Sequence, residues 1–303
     1  MKTKIMQILR WKKDFDNTPK IVCLGFFDGL HEGHLKVINA TLASAHKNNL
    51  LSLFFTLSES VSDYFKKMNT KLMENKVKQE LIAARGFDYY LEGIVNDEFI
   101  NLTAHQFLTI LKEKYGAQKV VVGQDFSFGN KRTGNVKTLQ DFFGKDNVTI
   151  IRRDPTSPAS SYIRNLITNS HDLINANKLL AFPYSVTGVV DHGKKLGRTI
   201  NFPTANIYLA RKCLLPYGVY VSETLINNHS YPSLTSYMVN SKNQEAVETY
   251  LIDQNMNLYG QEIRVLFLEY IRPNIKISSI AELSELVNSD LSYWKQHYSN
   301  YSN

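Results

Sequence analysis

Two histidines three residues apart, His31 and His34, lie in a segment that also carries Gly25, Phe27, Asp28, Gly29 and Gly33. The apolar run before it, residues 21–24, is short and β-rich and predicts a buried strand. Glycines here permit a tight turn and close approach of backbone to a ligand. The residues after it, 35–45, set Leu35, Ile38, Leu42 and Ala45 along one side of a helix. The histidines therefore fall at a strand-to-helix turn beside the positive end of a helix, where phosphate groups collect. Imidazoles so placed can bridge the phosphates of ATP and stabilise charge that develops during transfer, with no covalent intermediate. A zinc-protease pattern needs histidines four apart on one helix face, and no further Cys or His is spaced for a structural metal. Two histidines alone would read as a surface turn; the strand, glycines and aspartate around them favour a phosphate site.

Two other segments carry chemistry. Ala159-Ser160-Ser161-Tyr162-Ile163-Arg164 offers hydroxyls and free amides at a helix start with an arginine one turn in, an anion cradle. The plainer alternative is a Ser-capped helix with a solvated arginine. Further on, Pro203 fixes the backbone before Thr204 and Asn206, which share a face of an extended segment because they lie two apart. Their hydroxyl and amide oxygens are hard ligands suited to Mg²⁺, with nucleotide phosphates completing the shell.

The elements that must position these groups follow a rhythm. Over the first 180 residues, strand-like runs (21–24, 50–55, 89–94, 119–122, 148–151) alternate with helical patterns (35–47, 72–85, 104–114, 136–143), and one helical stretch, 162–180, closes the series. That alternation predicts an α/β doubly wound parallel sheet with ligands at the C-terminal ends of its strands. After Pro183 the texture becomes rich in Val, Tyr and Thr, and runs at 185–190, 218–225, 233–239, 246–252 and 262–270 predict an antiparallel β-barrel. An amphipathic helix over 279–298, capped by Ser279 with Glu282 three residues on, ends the chain. Two domains, 1–182 and 183–303, are expected.

Composition bounds the function classes. A length of 303 residues accommodates two domains, and 43 % apolar residues suffice for ordinary cores. No apolar run approaches a membrane span, so no membrane partner is expected. The two cysteines, Cys23 and Cys213, lie in apolar contexts and look like small buried hydrophobes, which points to a cytoplasmic enzyme. The net charge of +7 suits polyanions. Its lysines and arginines occur as isolated pairs with no basic stripe, which argues for nucleotides over nucleic acid as partners. The oligomeric state is left open.

The segment 25–34 resembles the signature Gly-x-Phe-Asp-Gly-Val-His-x-Gly-His of the N-terminal module of the bifunctional bacterial riboflavin kinase/FAD synthetase family, within the nucleotidylyltransferase superfamily. Residues 121–129 resemble its Val-Val-Gly-x-Asp-Phe-x-Phe-Gly segment, which places this strand end, with Gly123, beside the nucleotide and flavin and makes Asp125 either an adenosine-side or a structural polar group. Residues 159–164 resemble Ser-Ser-Thr-x-Ile-Arg, which implies that Ser160, Ser161 and Arg164 hold the β- and γ-phosphates. Residues 193–206 look like the riboflavin kinase signature Leu-Gly-Arg-x-x-Gly-Phe-Pro-Thr-Ala-Asn, bringing Gly197 and Arg198 into the nucleotide set. Residues 247–253 resemble Val-Glu-x-His-Leu-Leu-Asp, which makes Glu248 the general base for the ribityl 5′-hydroxyl.

The resemblance implies a Rossmann-like adenylyltransferase domain followed by a riboflavin kinase barrel. Such a protein converts riboflavin to FMN and FMN to FAD with ATP and Mg²⁺. The family's Thr-Phe-x-Pro-His-Pro is replaced here by residues 56–61 (Thr-Leu-Ser-Glu-Ser-Val), Asn201 stands for a glycine, and residues 237–242 replace an Ile-Gly-x-x-Pro-Thr-Phe type stretch. A diverged relative keeping one activity (the kinase first), or a non-catalytic flavin or nucleotide sensor, are the alternatives.

Overall fold

The computed structural model describes residues 5–193 and 202–299. The chain divides into two compact units, Met1–Ser160 and Ser161–Asn303.

The first unit is built on β1 (Gln7–Arg10), β2 (Lys20–Leu24), β3 (Leu51–Leu57), β4 (Tyr89–Gly93), β5 (Ala117–Gly123) and β6 (Val148–Ile151), in the order β1-β4-β3-β2-β5-β6. Every neighbouring pair is parallel. β2 is buried along its whole length because it is covered on both faces, which is why its sequence is a continuous apolar run after Lys20. Helix α1 (Glu32–Asn48) packs on β2, β3 and β5. On the opposite face Val22, Leu24, Leu53, Phe55 and Val120 join Phe107, Leu108 and Leu111 of α5 (Ala104–Tyr115) in one core. Shorter helices α2 (Val61–Lys66), α3 (Asn75–Ala84), α4 (Asp97–Ile100) and α6 (Val136–Phe143) complete the crossovers. The chain runs from β2 to β3 on one side and later sets β5 on the other. The C-terminal end of β2 is therefore the topological switch point, where open α/β sheets bind ligands.

The sequence pattern missed β1. It is a four-residue edge strand held by parallel pairing to β4, and Trp11 just beyond it packs among Phe55, Phe99, Phe107 and Tyr115. Such an edge is decided by tertiary packing, which four residues cannot announce.

In the second unit the expected helix 162–180 is two helices, α7 (Ser160–Thr168) and α8 (Leu173–Leu179). The break falls at a polar run: Ser170 N–H and Asp172 N–H bond back to Asn165 and Leu166 carbonyls, His171 takes φ +53°, and Asp172 then caps α8 through Asn175 N–H. Helix α8 is tied to the sheet by Asn177 Nδ2 donating to Phe267 O.

Six strands follow: β7 (Ser185–Val189), β8 (Thr204–Leu209), β9 (Gly218–Ile226), β10 (His229–Val239), β11 (Glu245–Leu251) and β12 (Glu262–Arg272). Their order is β7-β12-β9-β10-β11-β8, with every pair antiparallel. The barrel nearly closes where Asp191 N–H donates to Asn206 O, and a side chain at Gly188 would run into Ile207 Cγ2 at 2.2 Å. Helix α9 (Ile280–Tyr298), capped by Ser279, packs Trp294 against Val221, Leu234 and Ile252, and Asp290 receives both Nε and Nη2 of Arg272.

The barrel core is polar at its centre. Ser222, Thr224, Ser233, Thr235 and Thr249 are all fully buried. Their hydroxyls form a closed circuit of five hydrogen bonds, Ser222–Ser233 (2.8 Å), Ser233–Thr224 (2.9 Å), Thr224–Thr249 (3.3 Å), Thr249–Thr235 (2.7 Å) and Thr235–Ser222 (2.7 Å). Ser222 Oγ also reaches Ser233 O as a donor at 3.0 Å, so the single proton on each hydroxyl is shared between ring neighbours and this carbonyl. The ring pins β9, β10 and β11 in one register. Thr235→Val, which keeps the volume and opens the ring, is expected to lower stability by about 1–3 kcal/mol because two buried hydroxyls lose a partner. Urea denaturation followed through Trp294, in a Trp11→Phe background, measures it.

Candidate active sites

The first site grows from the end of β2. Gly25 bends the chain just after the strand, and a Cβ on it would meet the Phe27 ring at 2.8 Å. Phe27, Gly29 and Leu30 then adopt φ of +49°, +82° and +48°, so the chain turns in left-handed geometry that only Gly29 takes at no cost. Two packing contacts fix the turn: Phe27 packs on Phe54 with ring centroids 4.8 Å apart and tilted by 35°, and meets His34 edge-on at 5.4 Å. Asp28 is buried and accepts the Leu72 N–H on Oδ1 at 2.9 Å, which ties the turn to the segment before α3. Asp28, which the family resemblance sets among the nucleotide contacts, here has its Oδ1 engaged by a backbone amide.

His31 caps α1 with its own carbonyl, which accepts His34 N–H at 2.8 Å and Leu35 N–H at 3.1 Å. The two imidazoles stack with centroids 3.7 Å apart at 23°. His31 Nε2 lies 3.1 Å from Ser160 Oγ. Gly33 leaves room beside the His31 ring, since a Cβ there would sit 3.3 Å from Cε1. The sheet thus brings His31, His34, Gly25, Phe27, Gly29, Gly33 and Ser160 together. Gly123 ends β5, next to β2 in register, and the position its Cβ would take is open space. Asp125 follows in the exposed turn after β5. Ser161 and Arg164 continue α7 one step and one turn beyond Ser160, in the second unit.

The second site lies across β8 and β11. Asn206 pairs with Glu248 and Thr204 with Tyr250, so Thr204, Asn206 and Glu248 share one face of the sheet. Asn206 is buried; its Nδ2 donates to Thr204 O, while its Oδ1 is a buried acceptor with no hydrogen-bond partner among the described residues. An orphaned hard oxygen beside a threonine hydroxyl and opposite a carboxylate fits a divalent cation. Gly193 crosses directly over this amide, since a Cβ there would stand 2.5 Å from Nδ2. Burial, reinforced by the Glu248 and Asp191 carboxylates, raises the Tyr208 phenol above its usual pKa, placing negative charge along the same face. A cleft bounded by Val190, Pro203, Thr204, Thr249 and Tyr259 opens beside Thr204, and a wider one continues over Tyr250 and Asp253. Gly197, Arg198 and Asn201 lie outside the described residues. Among described residues, no cluster of three or more His, Cys, Asp or Glu could hold a metal; the donor set at the second site is hydroxyl and amide.

Two family models match the chain: FAD synthetase over residues 13–165 and riboflavin kinase over residues 180–298. The chain belongs to the bifunctional riboflavin kinase/FMN adenylyltransferase family. Proteins of that name from Listeria monocytogenes and Bacillus subtilis are each 31 % identical, the first over 89 % of this chain and 90 % of its own, the second over 94 % of each. The relative from Buchnera aphidicola of Schizaphis graminum is 30 % identical over 93 % of this chain and 95 % of its own. A crystal structure described as a macrolide-efflux protein from Streptococcus pneumoniae superposes with a TM-score of 0.79 and 26 % identity, covering 97 % of this chain and all of that one. No helix among the described residues is long and apolar enough to cross a membrane. The family carries both activities here: ATP-dependent phosphorylation of riboflavin, and adenylylation of FMN to FAD.

Two groups escaped the sequence reading, Lys78 and Thr56. The signal for Lys78 is a lysine on the buried side of α3 with Val77 and Ile82. Ser160→Ala removes the hydroxyl that lies 3.1 Å from His31 Nε2. It is expected to slow FAD formation about three- to tenfold, the worth of one hydrogen bond, with riboflavin phosphorylation unchanged in a product-resolved chromatographic assay.

Proposed function

We propose that the first site carries out adenylylation and the second the kinase step, divided between residues 1–182 and 183–303. The stacked pair His31–His34 at the end of the central parallel strand, 3.7 Å apart, supports the first assignment above all. There, an FMN phosphate oxygen attacks the α-phosphorus of ATP, the bond to the bridging oxygen breaks, and pyrophosphate leaves. His31 and His34 stabilise the charge on the transferring group. Gly25, Gly29, Gly33 and Gly123 let backbone approach the nucleotide, and Ser160, Ser161 and Arg164 hold the departing pyrophosphate.

At the second site the ribityl 5′-hydroxyl of riboflavin attacks the γ-phosphorus of ATP and ADP leaves. The hydroxyl proton passes to the Glu248 carboxylate, which chiefly orients the nucleophile. Thr204 and Asn206 would hold Mg²⁺, which supplies charge neutralisation at the phosphates; the orphaned Asn206 Oδ1 supports this. Gly197 and Arg198 belong to the same nucleotide set. The cytoplasm suits these substrates, and the two buried free cysteines agree with a reducing compartment.

The decisive assay supplies ATP–Mg²⁺ with riboflavin, then with FMN, and resolves FMN from FAD. His31→Ala and His34→Ala are each expected to cut FAD formation about 10²–10³-fold while sparing riboflavin phosphorylation. Glu248→Gln is expected to do the reverse, losing about 10²–10⁴-fold in phosphorylation. Full FAD formation in either histidine variant refutes the first assignment. Chelation of divalent cations should stop phosphorylation, and Asn206→Ala should raise the Mg²⁺ concentration needed for half-maximal rate about tenfold.

A further inference from the structure

Lys78 on α3 has no exposure to solvent. Its ammonium donates to Phe26 O at 2.9 Å, lies 3.1 Å from Thr56 Oγ1, and stands 5.0 Å from the centre of the Phe26 ring. Thr56 Oγ1 donates to the same carbonyl at 2.8 Å. Phe26 O therefore has two donors, one from the end of β3 and one from α3. The next residue opens the left-handed turn that carries Asp28 and ends at His31.

Hydrogen bonding alone does not require a charge at this place. Thr56 already satisfies the carbonyl, and taking an ammonium out of water is unfavourable. Three charged groups act on Lys78. Asp28 of the turn and Glu92 on β4 favour the ammonium, while Lys71, from the segment before α3, opposes it. Asp28 is itself buried, accepts a backbone amide on Oδ1, and its negative charge favours the buried Lys78 ammonium. An unfavourable charge retained beneath a strained turn points to a use for that charge.

We propose that Lys78 is a positioning residue for the adenylylation site: by gripping Phe26 O and balancing Asp28 from below, it fixes the turn that aims His31 and His34. This rests on the assignment of those histidines to adenylyl transfer. Burial pushes the Lys78 pKa down to about 8. The ammonium is therefore present below that pH and lost above it, so the turn loses its counter-charge on the alkaline side.

FAD formation from FMN and ATP–Mg²⁺ by the full chain, with kcat and KM separated between about pH 6.5 and 9.5, tests this against riboflavin phosphorylation run alongside. The unsubstituted protein should lose kcat as pH rises through about 8. Lys78→Met should have a kcat about tenfold lower at neutral pH, no alkaline fall, a KM for ATP within about threefold, and unchanged riboflavin phosphorylation. Thr56→Val, which leaves one donor on Phe26 O, should lose about threefold and keep the alkaline fall. A Lys78→Met kcat within about twofold of the parent, or an alkaline fall that persists in it, overturns the proposal. If Lys78→Met does not melt cooperatively, the parent and Thr56→Val profiles decide, and a parent kcat that stays flat above pH 8 overturns it. His31→Ala runs in parallel: full FAD formation there overturns the histidine assignment and the proposal with it, whereas its loss beside an active Lys78→Met overturns the role of Lys78 alone.

Discussion

Between Phe27 and Leu30 the backbone of the first unit holds positive φ at three of four residues, two of them bulky side chains. Phe27 and Leu30 each cost about 1–2 kcal/mol relative to right-handed geometry, so the turn persists only because its surroundings over-determine it. Those surroundings are specific. Phe26 O takes donors from Thr56 and Lys78, Asp28 Oδ1 takes the Leu72 amide, and Phe27 is wedged between Phe54 and His34. The consequence is a helix that begins at His31, with two imidazoles face to face at the switch point of a parallel sheet. Relaxing the turn would leave the same residues in the chain but no site.

The second unit reaches its geometry by another route. Its site residues sit on regular strands, so their relation is a matter of register. Glu248 stands opposite Asn206 only because β8 and β11 pair as they do, and a slip of one residue would send both side chains to opposite faces. The ring of five hydroxyls fixes the registers of β9, β10 and β11 more sharply than apolar packing alone, since displacing one of these strands would break several buried hydrogen bonds at once. Closure of the barrel near Asp191 and Asn206 then carries Gly193 across the Asn206 amide.

Two of the departures from the family pattern, residues 56–61 and 237–242, have structural accounts. Thr56 ends the buried part of β3 and grips Phe26 O, while Ser58 binds Val95 N–H through its hydroxyl and Ser60 caps α2 through Asp63 N–H. Residues 56–61 thus form a capped strand-to-helix connection in place of a proline-rich one. Tyr237 is buried, receives Cys213 N–H and donates to Glu245, so it ties strand β10 to the loop before β9. Asn240 closes the hairpin beyond it by accepting from Lys242 and Gln244 amides.

The sequence by itself determined the class of each unit, the strands that build them apart from β1 and β8, and the segments whose residue types suit chemistry. Alternating runs with period 2 or 3.6 record which faces are buried, and glycines, histidines and hydroxyls at fixed spacing record local turns and helix starts. It also carried Thr204 and Asn206 onto one face, because two-residue spacing on extended chain is a local property. Tertiary structure alone decided the rest. β1 exists through its pairing with β4, and α7 and α8 separate where a polar run bends back on its own carbonyls. Asp28 turns inward to a backbone amide, and Lys78 is buried 50 residues from the turn it supports. Glu248 faces Asn206 across 42 residues of sequence. A hydrogen bond or a charge pair between distant residues leaves no periodic trace in the chain, since periodicity encodes only the boundary between apolar interior and water.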